Sequence, residues 1–270
     1  MKTFLLASLA LGSLIMPAVA ADMAPAPYYP APPPPLIPVW SWTGFYIGAN
    51  LGWAGSSNNN LTNTGTDTGT GGLGSALAAG LIPGTVGVSH NGFIGGGQIG
   101  YNWQLGPFWV AGVETDFDGL GGNSSTSVFA FPGVAGGAVP FTTTFTSGLD
   151  TLGTVRARLG WLWTPALLAY ATGGFAYGET KIGSSFTCPT CAPPAAAVIS
   201  SSNTATGWTV GAGLEWRFAP AWSVKAEYLY VDLGSRSDTI TYNYGPTSTL
   251  TSTVNERDNI VRAGLNYKFW

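Results

Sequence analysis

The sequence predicts an all-β fold, a closed eight-stranded antiparallel transmembrane β-barrel with four long extracellular loops and short periplasmic turns. The mean hydropathy of the chain is +0.21 and only 9% of its residues are charged, against roughly 25% in ordinary soluble domains. After the first sixteen residues, no apolar run approaches the roughly 18 residues that a membrane helix needs. Segments of alternating apolar and polar residues recur instead, and short and long connections alternate between them. This pattern is typical of a barrel that faces lipid.

The final segment shows the alternation most clearly. Val261, Leu265 and Phe269 fall on one parity, and Arg262 and Lys268 fall on the other. This is the period of a strand with one apolar and one polar face. A patterned aromatic chain end needs a partner strand, because unpaired chain ends usually fray. We expect the first strand, near 44–54, to be that partner and to close the barrel.

The first 42 residues are expected to lie outside the barrel. Residues 1–20 read as a secretory signal, with Lys2 as the positive start, an apolar core over 4–15 and small residues up to a cleavage site near Ala20. The alternative, a membrane anchor, is too short to span the bilayer. Residues 21–42 are proline-rich and predict an extended periplasmic spacer. A recruitment motif is the alternative, and peptidoglycan or periplasmic proteins are its candidate partners.

The barrel domain is predicted over residues 43–270. The connections at 104–107, 164–166 and 219–221 are tight, whereas the other four are long and rich in Gly, Ser, Thr and Asn. In outer-membrane barrels the short turns face the periplasm and the long loops face outside, so both chain ends belong on the periplasmic side. The predicted strands are 44–54, 91–103, 108–119, 149–163, 167–179, 205–218, 222–232 and 255–269, and the long connections are 55–90, 120–148, 180–204 and 233–254.

Aromatic residues gather near the ends of these strands, as expected for the two interfacial girdles of a membrane barrel. The predicted periplasmic ring comprises Trp42, Phe45, Trp103, Trp109, Trp161, Trp163, Phe218, Trp222, Phe269 and Trp270, and the predicted outer ring comprises Trp53, Phe117, Tyr177, Trp208 and Tyr228.

Charged residues keep one parity within each strand. Lipid-facing Arg or Lys costs roughly 2–4 kcal/mol at the midplane, so this parity should point inward. The interior of an eight-stranded barrel is just wide enough for side chains to fill it, and buried charges there must be paired. The network has two interpretations, a plug of salt bridges or an ion-selective constriction, and the narrow barrel favours the plug. The predicted interior charge network comprises Glu114, Asp116, Asp118, Arg156, Arg158, Glu215, Arg217, Lys225, Glu227 and Arg262.

The tight turns predict the strand registers. A turn centred on Pro220 places Glu215 beside Lys225 inside the barrel, and a turn centred on Gly106 places Gln98 beside Glu114. The same first turn would bring two tryptophans, Trp103 and Trp109, together on the outside.

The sequence offers little for catalysis or metal binding. Cys188 and Cys191 are the only cysteines, and in an exported protein a small structural disulfide is favoured over a redox pair. His90 is the only histidine, which disfavours a zinc site and a Ser-His-Asp hydrolase. We therefore expect no enzyme activity, no cofactor and no metal. The net charge of −3 argues against nucleic acid as a partner.

Five segments carry a family resemblance: WTGFYIG (42–48), GGGQIGYN (95–102), TVRARLG (154–160), YATGGFAYG (170–178) and KAEYLY (225–230). Together they resemble the alphaproteobacterial outer-membrane surface-antigen family of small porin-like barrels. The resemblance implies an integral outer-membrane protein, with outer-membrane lipid and the barrel-assembly machinery as partners. It also implies an assembly signal at the chain end, in Tyr267, Phe269 and Trp270, although Trp270 extends beyond the usual family end.

Three functions follow from the resemblance. The first is a non-enzymatic structural and surface role in the envelope. The second is a narrow passive channel for ions or small solutes, since some relatives are described as porins. The third is a surface binder that uses the long loops, as an adhesin or for haem.

Overall fold

The computed structural model describes most of the chain from Trp40 onward. The predicted signal peptide, the proline-rich segment up to residue 39, Cys191 and Trp270 lie outside the described residues. The described ranges are 40–57, 59–69, 73–122, 124–131, 140–190, 195–242 and 247–269.

The described residues form one antiparallel sheet with a single short helix. In chain order the elements are β1 (Gly44–Ser56), β2 (Asn60–Asp67), α1 (Leu73–Ala78), β3 (Thr85–Gly87), β4 (Asn91–Leu105), β5 (Trp109–Gly121), β6 (Ser124–Phe131), β7 (Phe141–Thr164), β8 (Leu167–Cys188), β9 (Ala195–Arg217), β10 (Trp222–Tyr242) and β11 (Ser248–Lys268). Eight of these strands close a ring in the order β1-β4-β5-β7-β8-β9-β10-β11 and back to β1. The predicted eight-stranded barrel is confirmed.

The ring closes between the first and last strands, as the sequence predicts. β1 and β11 pair from Tyr46 with Lys268 to Ser56 with Asp258. Next to the pair of Tyr46 with Lys268, the backbone N–H of Phe269 donates to the carbonyl of Phe45 at 2.9 Å. The chain ends therefore satisfy each other's backbone groups, which leaves no open edge in the ring.

The third tight turn has the predicted register, because Lys225 pairs with Glu215. The prediction for the first turn is wrong, since Leu105 pairs with Trp109 and Gln98 pairs with Asp116. Gly106 adopts a left-handed backbone with φ of 88°, so the turn spans residues 106–108 and centres one residue later than predicted. The partner of each residue shifts by two, and every side chain therefore keeps its predicted face.

Three of the four predicted long connections, 120–148, 180–204 and 233–254, are mostly strand, so these loops continue the ring strands. β7 has 24 residues and β9 has 23, about twice the 9–11 that a membrane strand needs. Beyond the ring the sheet divides into a first extension, formed by β10, β11, β2 and β3, and a second extension, formed by β6, β7, β8 and β9. Their Thr-rich stretches look like loops by composition, but β-branched threonine also favours strands.

The barrel has two ends, which we name by their connections. The turn end carries the tight turns, and the extension end carries the two extensions. The outer face of the ring is apolar and exposed; Leu51 is 67% exposed and Val261 is 62% exposed. The packed core lies inside the ring and between the extensions. Across the described ranges, no helix is both long and apolar enough to cross a membrane.

Candidate functional site

The interior of the barrel brings together nine of the ten charged residues that the sequence selects. β5 contributes three carboxylates, β7 two arginines, β9 one carboxylate, β10 a lysine and a carboxylate, and β11 an arginine. All nine side chains point into the ring because they share the inward parity of their strands. They are Glu114, Asp116, Asp118, Arg156, Arg158, Glu215, Lys225, Glu227 and Arg262, and each is at most 4% exposed.

Arg156 lies at the centre of this network. Its Nη2 donates to Glu114 Oε1 at 2.5 Å and to Asp116 Oδ2 at 2.8 Å, and its Nη1 donates to Glu227 Oε1 at 2.9 Å. Its Nε donates to Thr154 Oγ1 at 2.9 Å. The planar guanidinium fork suits several acceptors at once, so one arginine joins carboxylates of β5 and β10 across the lumen.

Arg262 joins the same strands from the opposite wall. Its Nη1 donates to Asp118 Oδ2 at 2.6 Å and its Nη2 to Asp116 Oδ2 at 2.8 Å. Its Nε donates to Glu227 Oε2 at 2.8 Å. Asp116 and Glu227 are thus each shared by two arginines.

The part of the network nearest the turn end is built around Glu114. Lys225 Nζ donates to both oxygens of Glu114, at 2.8 and 2.9 Å, and the hydroxyl of Tyr46 donates to Oε2 at 2.7 Å. Arg158 donates to Glu215 at 2.5 Å and stacks on the ring of Tyr170 at 4.3 Å. These contacts fill the cross-section of the lumen at this level with paired charges.

Two residues lie elsewhere than the sequence suggests. Arg217 has the inward parity but lies half-buried at the turn end, where its guanidinium stacks on Trp40 at 3.8 Å. Among the described residues it has no carboxylate within salt-bridge distance, so it is outside the network. Trp42 is not part of the interfacial ring, because it is 3% exposed and packs inside the barrel against Leu162 and Leu168. It precedes the first strand, so its direction cannot be read from strand parity.

The other predicted ring residues within the described ranges lie on the outer face. Tyr177 is half-buried, and all the others are 40% to 67% exposed. They form edge-on and stacked contacts between strands, such as Trp53 with Phe93 at 4.8 Å and Trp109 with Trp161 at 4.9 Å. At the end of the last strand, Tyr267 and Phe269 of the predicted assembly signal contact each other edge-on at 5.3 Å.

An apolar layer, which the sequence analysis missed, lies next to the charge network toward the extension end. All eight ring strands contribute to it. Strand parity could have placed these side chains inside the barrel, because Leu152 shares the inward face of Arg156 and Ile260 shares that of Arg262. The layer comprises Ala54, Ile94, Leu149, Leu152, Ala176, Ala205, Leu229, Val231, Leu233 and Ile260, with Leu120 packed against it.

A second polar cluster lies inside the extension end, beyond the outer aromatic ring. His90 Nε2 lies 3.0 Å from Asp258 Oδ1, and Glu256 accepts from Ser147 at 3.0 Å and from Asn59 at 3.3 Å. Burial alone would lower the pKa of His90, but the hydrogen bond and charge of Asp258, with the charge of Glu256, raise that pKa overall. Burial raises the pKa of Glu256. The cluster holds the connections around β2 and β3 against β7 and β11.

Cys188 is fully buried and disulfide-bonded. Its predicted partner, Cys191, lies outside the described residues. In the part of the chain that the structure describes, no three His, Cys, Asp or Glu residues are arranged to hold a metal ion.

Residues 6–269 match the family described as outer membrane protein beta-barrel domain. The chain belongs to this family. It is therefore an integral protein of the bacterial outer membrane, and the resemblance stated from the sequence is confirmed.

Curated relatives agree with the family. The chain is 39% identical over 277 residues to the 31 kDa outer-membrane immunogenic protein of Brucella melitensis biotype 1, and equally to that of Brucella suis biovar 1, with 100% of both chains covered. It is 29% identical over 240 residues to the 22 kDa outer membrane protein of Rhizobium leguminosarum bv. viciae, covering 87% of this chain and 82% of the relative. These relatives are named as outer-membrane proteins and not as enzymes.

Solved structures of outer-membrane barrels are also similar. The outer membrane protein OprG of Pseudomonas aeruginosa aligns with a TM-score of 0.46 at 12% identity, over 84% of this chain and 97% of that chain. Neisserial surface protein A aligns with a TM-score of 0.36 at 14% identity, over 84% of this chain and 98% of that chain.

In outer-membrane barrels, short turns face the periplasm and long connections face outward. The turn end of this barrel accordingly faces the periplasm, and both extensions face the exterior.

Proposed function

We propose that this outer-membrane barrel is a closed, non-conducting scaffold that presents its two extensions on the cell surface. The apolar layer is the observation that carries the proposal. Every ring strand places at least one aliphatic side chain in it, and most of these side chains are fully buried. An apolar constriction excludes water and ions by dewetting. A layer of aliphatic side chains packed across the whole cross-section of the lumen has the same effect.

Packing at the turn end supports the same proposal. Trp42 fills the periplasmic mouth, and its Nε1 donates to the carbonyl of Pro165 at 3.3 Å. Trp40 lies beside it and donates to the carbonyl of Pro220 at 2.5 Å, with Arg217 on its face. The cavity that adjoins the two indoles has a volume of about 10 Å³, roughly the least that holds one water molecule.

The charge network supports a structural role for the lumen. Its four cations and five carboxylates bond to one another, and a charge held by two or three partners is not available to a passing ion. Replacing one partner would leave the others buried and unpaired, which is costly. A narrow passive channel remains the second candidate function, because a ring of charge is also how a cation or anion filter is built.

A non-enzymatic role is part of the proposal. His90 and Asp258 are paired, but they are 2% and 1% exposed, so a substrate has no path to them. The cluster is consistent with a structural hydrogen-bonded support for the first extension. The Brucella relatives are named immunogenic, and we propose the same surface exposure for the extensions of this chain.

Two partners belong to the proposal. Outer-membrane lipid surrounds the apolar outer face, and the barrel-assembly machinery inserts the chain during biogenesis. We propose the chain end with Tyr267 and Phe269 as the signal for that machinery.

Conductance measurements test the closed scaffold. Refolded protein in planar lipid bilayers should show no steady openings, and the variant Arg156→Ala should behave in the same way. Folding of each sample is checked by faster migration of the unboiled protein on a detergent gel. Steady openings of the native chain whose ion selectivity changes in Arg156→Ala or Glu114→Gln would overturn the closed scaffold in favour of the channel. Lys181→Gln, on the exposed surface of β8, is the matched control.

A further inference from the structure

The two extensions are separated by a split between β9 and β10. β9 pairs with β8 from Ala195 to Trp216, but it pairs with β10 only from Trp208 to Arg217. No described strand pairs with the other edge of β9 over residues 195–207. About a dozen residues of β9 therefore present one free backbone edge at the extension end.

A bulge in β10 causes the split. The register of β10 against β11 shifts between Asp232 and Ser235. Gly234 has a left-handed backbone with φ of 78°, and its N–H donates to Asp232 Oδ1 at 2.9 Å. A bulge with a left-handed glycine bends its strand, so β10 leaves β9 at this point and continues with β11.

The split opens a cleft of about 390 Å³. Its floor is apolar, formed by Ile182 and Leu233, which are 7% and 3% exposed. Its walls are polar and include Ser201 and Asn203 of β9 and Ser237 of β10. The free edge of β9 borders this cleft over residues 201–206.

Two hydrogen bonds show which peptide groups of β9 face the cleft. The guanidinium of Arg236 donates across the cleft to the carbonyl of Thr204, whereas Thr180 of β8 donates to the carbonyl of Asn203 at 3.1 Å. Peptide groups alternate sides along a strand. The N–H and C=O groups of residues 198, 200, 202, 204 and 206 therefore point toward the cleft.

This edge lacks the features that usually block strand addition. Exposed edges are normally protected by charges, prolines or bulges, and residues 195–207 contain none of the first two. The facing strand β10 is protected, since it carries the bulge, Arg236 and Asp238. Among the described residues, Arg236 is the side chain that donates to this edge, and it occupies a single carbonyl.

We propose that residues 198–206 of β9 bind an extended, uncharged peptide segment of a partner protein by strand addition. The backbone of the peptide would complete the ladder of β9, as in other cases of β-augmentation. Its alternate side chains would enter the cleft above Ile182 and Leu233, which favours small or aliphatic residues there. The proposal does not depend on whether the barrel conducts, and it gives the surface-exposed second extension a partner.

A second copy of the chain fits this edge poorly. Two copies in one membrane point in the same direction, so a twofold axis along the membrane normal would pair the two β9 strands in parallel. Each N–H would then lie opposite the same N–H of the partner copy. A neutral saccharide can also bond to the edge, but its hydroxyl groups do not repeat with the strand spacing of about 6.6 Å for every second residue.

A labelled, end-capped peptide of ten residues, alternating threonine and valine, tests the proposal by fluorescence anisotropy with the full chain in detergent micelles. Ser200→Pro removes one N–H that faces the cleft, and a proline is tolerated where that group is not used by the sheet. We expect this variant to bind the peptide at least tenfold more weakly, and Ser200→Ala to bind within about twofold of the native chain. Equal binding by the proline variant, or no binding by the native chain, would overturn the proposal.

Two further binding experiments identify the class of ligand that the cleft takes. Arg236→Ala removes the side chain that competes for the Thr204 carbonyl, so peptide binding should be unchanged or tighter; a tenfold loss would mean that the ligand uses the guanidinium and would overturn strand addition. The same peptide with alternate amides N-methylated should not bind. Competition by maltoheptaose, together with binding of the methylated peptide, would assign the cleft to saccharides. Gel migration without boiling verifies that each variant is folded.

Discussion

Arg156 shows how a buried ion network is held at the scale of single residues. It bonds three carboxylates from two strands and is 1% exposed. The sequence predicts that its side chain points inward, because Arg158 and Thr154 share its parity. It does not predict the partners across the lumen, such as Asp118 for Arg262, since these lie on strands that are not neighbours.

Removing Arg156 should strongly destabilise the barrel. Arg156→Met leaves Glu114, Asp116 and Glu227 with one fewer cation, and breaking a buried pair in this way costs about 3–5 kcal/mol. The measurement is the free energy of unfolding in urea, in phospholipid vesicles. Lys181→Met is the control, because Lys181 pairs with Asp150 at the surface and such pairs contribute at most about 1 kcal/mol. Equal losses in the two variants would contradict the network as a source of stability.

His90 predicts a pH dependence of stability. Although burial opposes it, Asp258 and Glu256 raise the pKa of His90 above its ordinary value, so the folded state binds the proton more tightly than the unfolded state. The stabilisation of the folded state by protonated His90 is complete below the unfolded pKa of about 6.5. It is lost as the pH rises through the higher folded pKa. The raised pKa of Glu256 acts in the same direction. Its contribution to stability is lost as the pH rises above its unfolded pKa of about 4.3.

The native chain should therefore lose stability from about pH 6.5 upward, and His90→Gln should show a flatter profile. At acidic pH the variant should be less stable by about 2 kcal/mol, the size of a hydrogen bond to a charged group. Urea unfolding at a series of pH values provides the measurement. A native profile that rises across this window would show that His90 is not protonated in the folded state.

At the scale of elements, the narrow barrel depends on glycines where strands approach closely. A Cβ at Gly174 of β8 would lie 2.1 Å from the carbonyl oxygen of Val155 and 2.7 Å from the Cα of Arg156. Both are backbone atoms of β7 and cannot move independently of that strand. At the neighbouring Gly173, a Cβ would meet only the Thr209 carbonyl, at 3.5 Å.

Gly174→Ala should therefore destabilise the barrel, whereas Gly173→Ala should not. Overpacking of this kind costs about 1–3 kcal/mol. The comparison is made by urea unfolding and by the fraction of protein that migrates as a folded barrel without boiling. A similar loss in both variants would indicate a general cost of alanine in β8 rather than a clash with β7.

The ends of the strands depend less on local sequence pattern than the strands themselves do. In the ring, parity and turn chemistry fixed the strands to within a few residues. The composition of residues 141–148 in β7, rich in Thr, Ser and Gly, predicts a loop. They form a strand because Phe145 packs in the cluster between the extensions, against residues such as Leu61 and Val254. Those partners are distant in the chain, so no local pattern reveals them.

At the scale of the whole molecule, the ring closes through both chain ends. Phe269 is 49% exposed on the outer face and forms the last backbone bond, with Phe45. Phe269→Asp should lower the yield of folded barrel more than deletion of Trp270, because it places a charge in the aromatic ring at the membrane interface. Yield is measured as the fraction of refolded protein that is heat-modifiable on a detergent gel. The opposite ranking would mean that the chain end has a different register.

The sequence alone determined the number of ring strands, their direction and the inward face of nine of the ten charged residues selected for the interior. These properties follow from a period of two along each strand and from the cost of charge in lipid, which are both local. Only the tertiary structure decided that Trp42 fills the periplasmic mouth, that an apolar layer crosses the lumen and that β9 has an edge with which no described strand pairs. Each depends on which residues meet across the ring or beyond it, and such meetings are set by closure and register rather than by the pattern of any one segment.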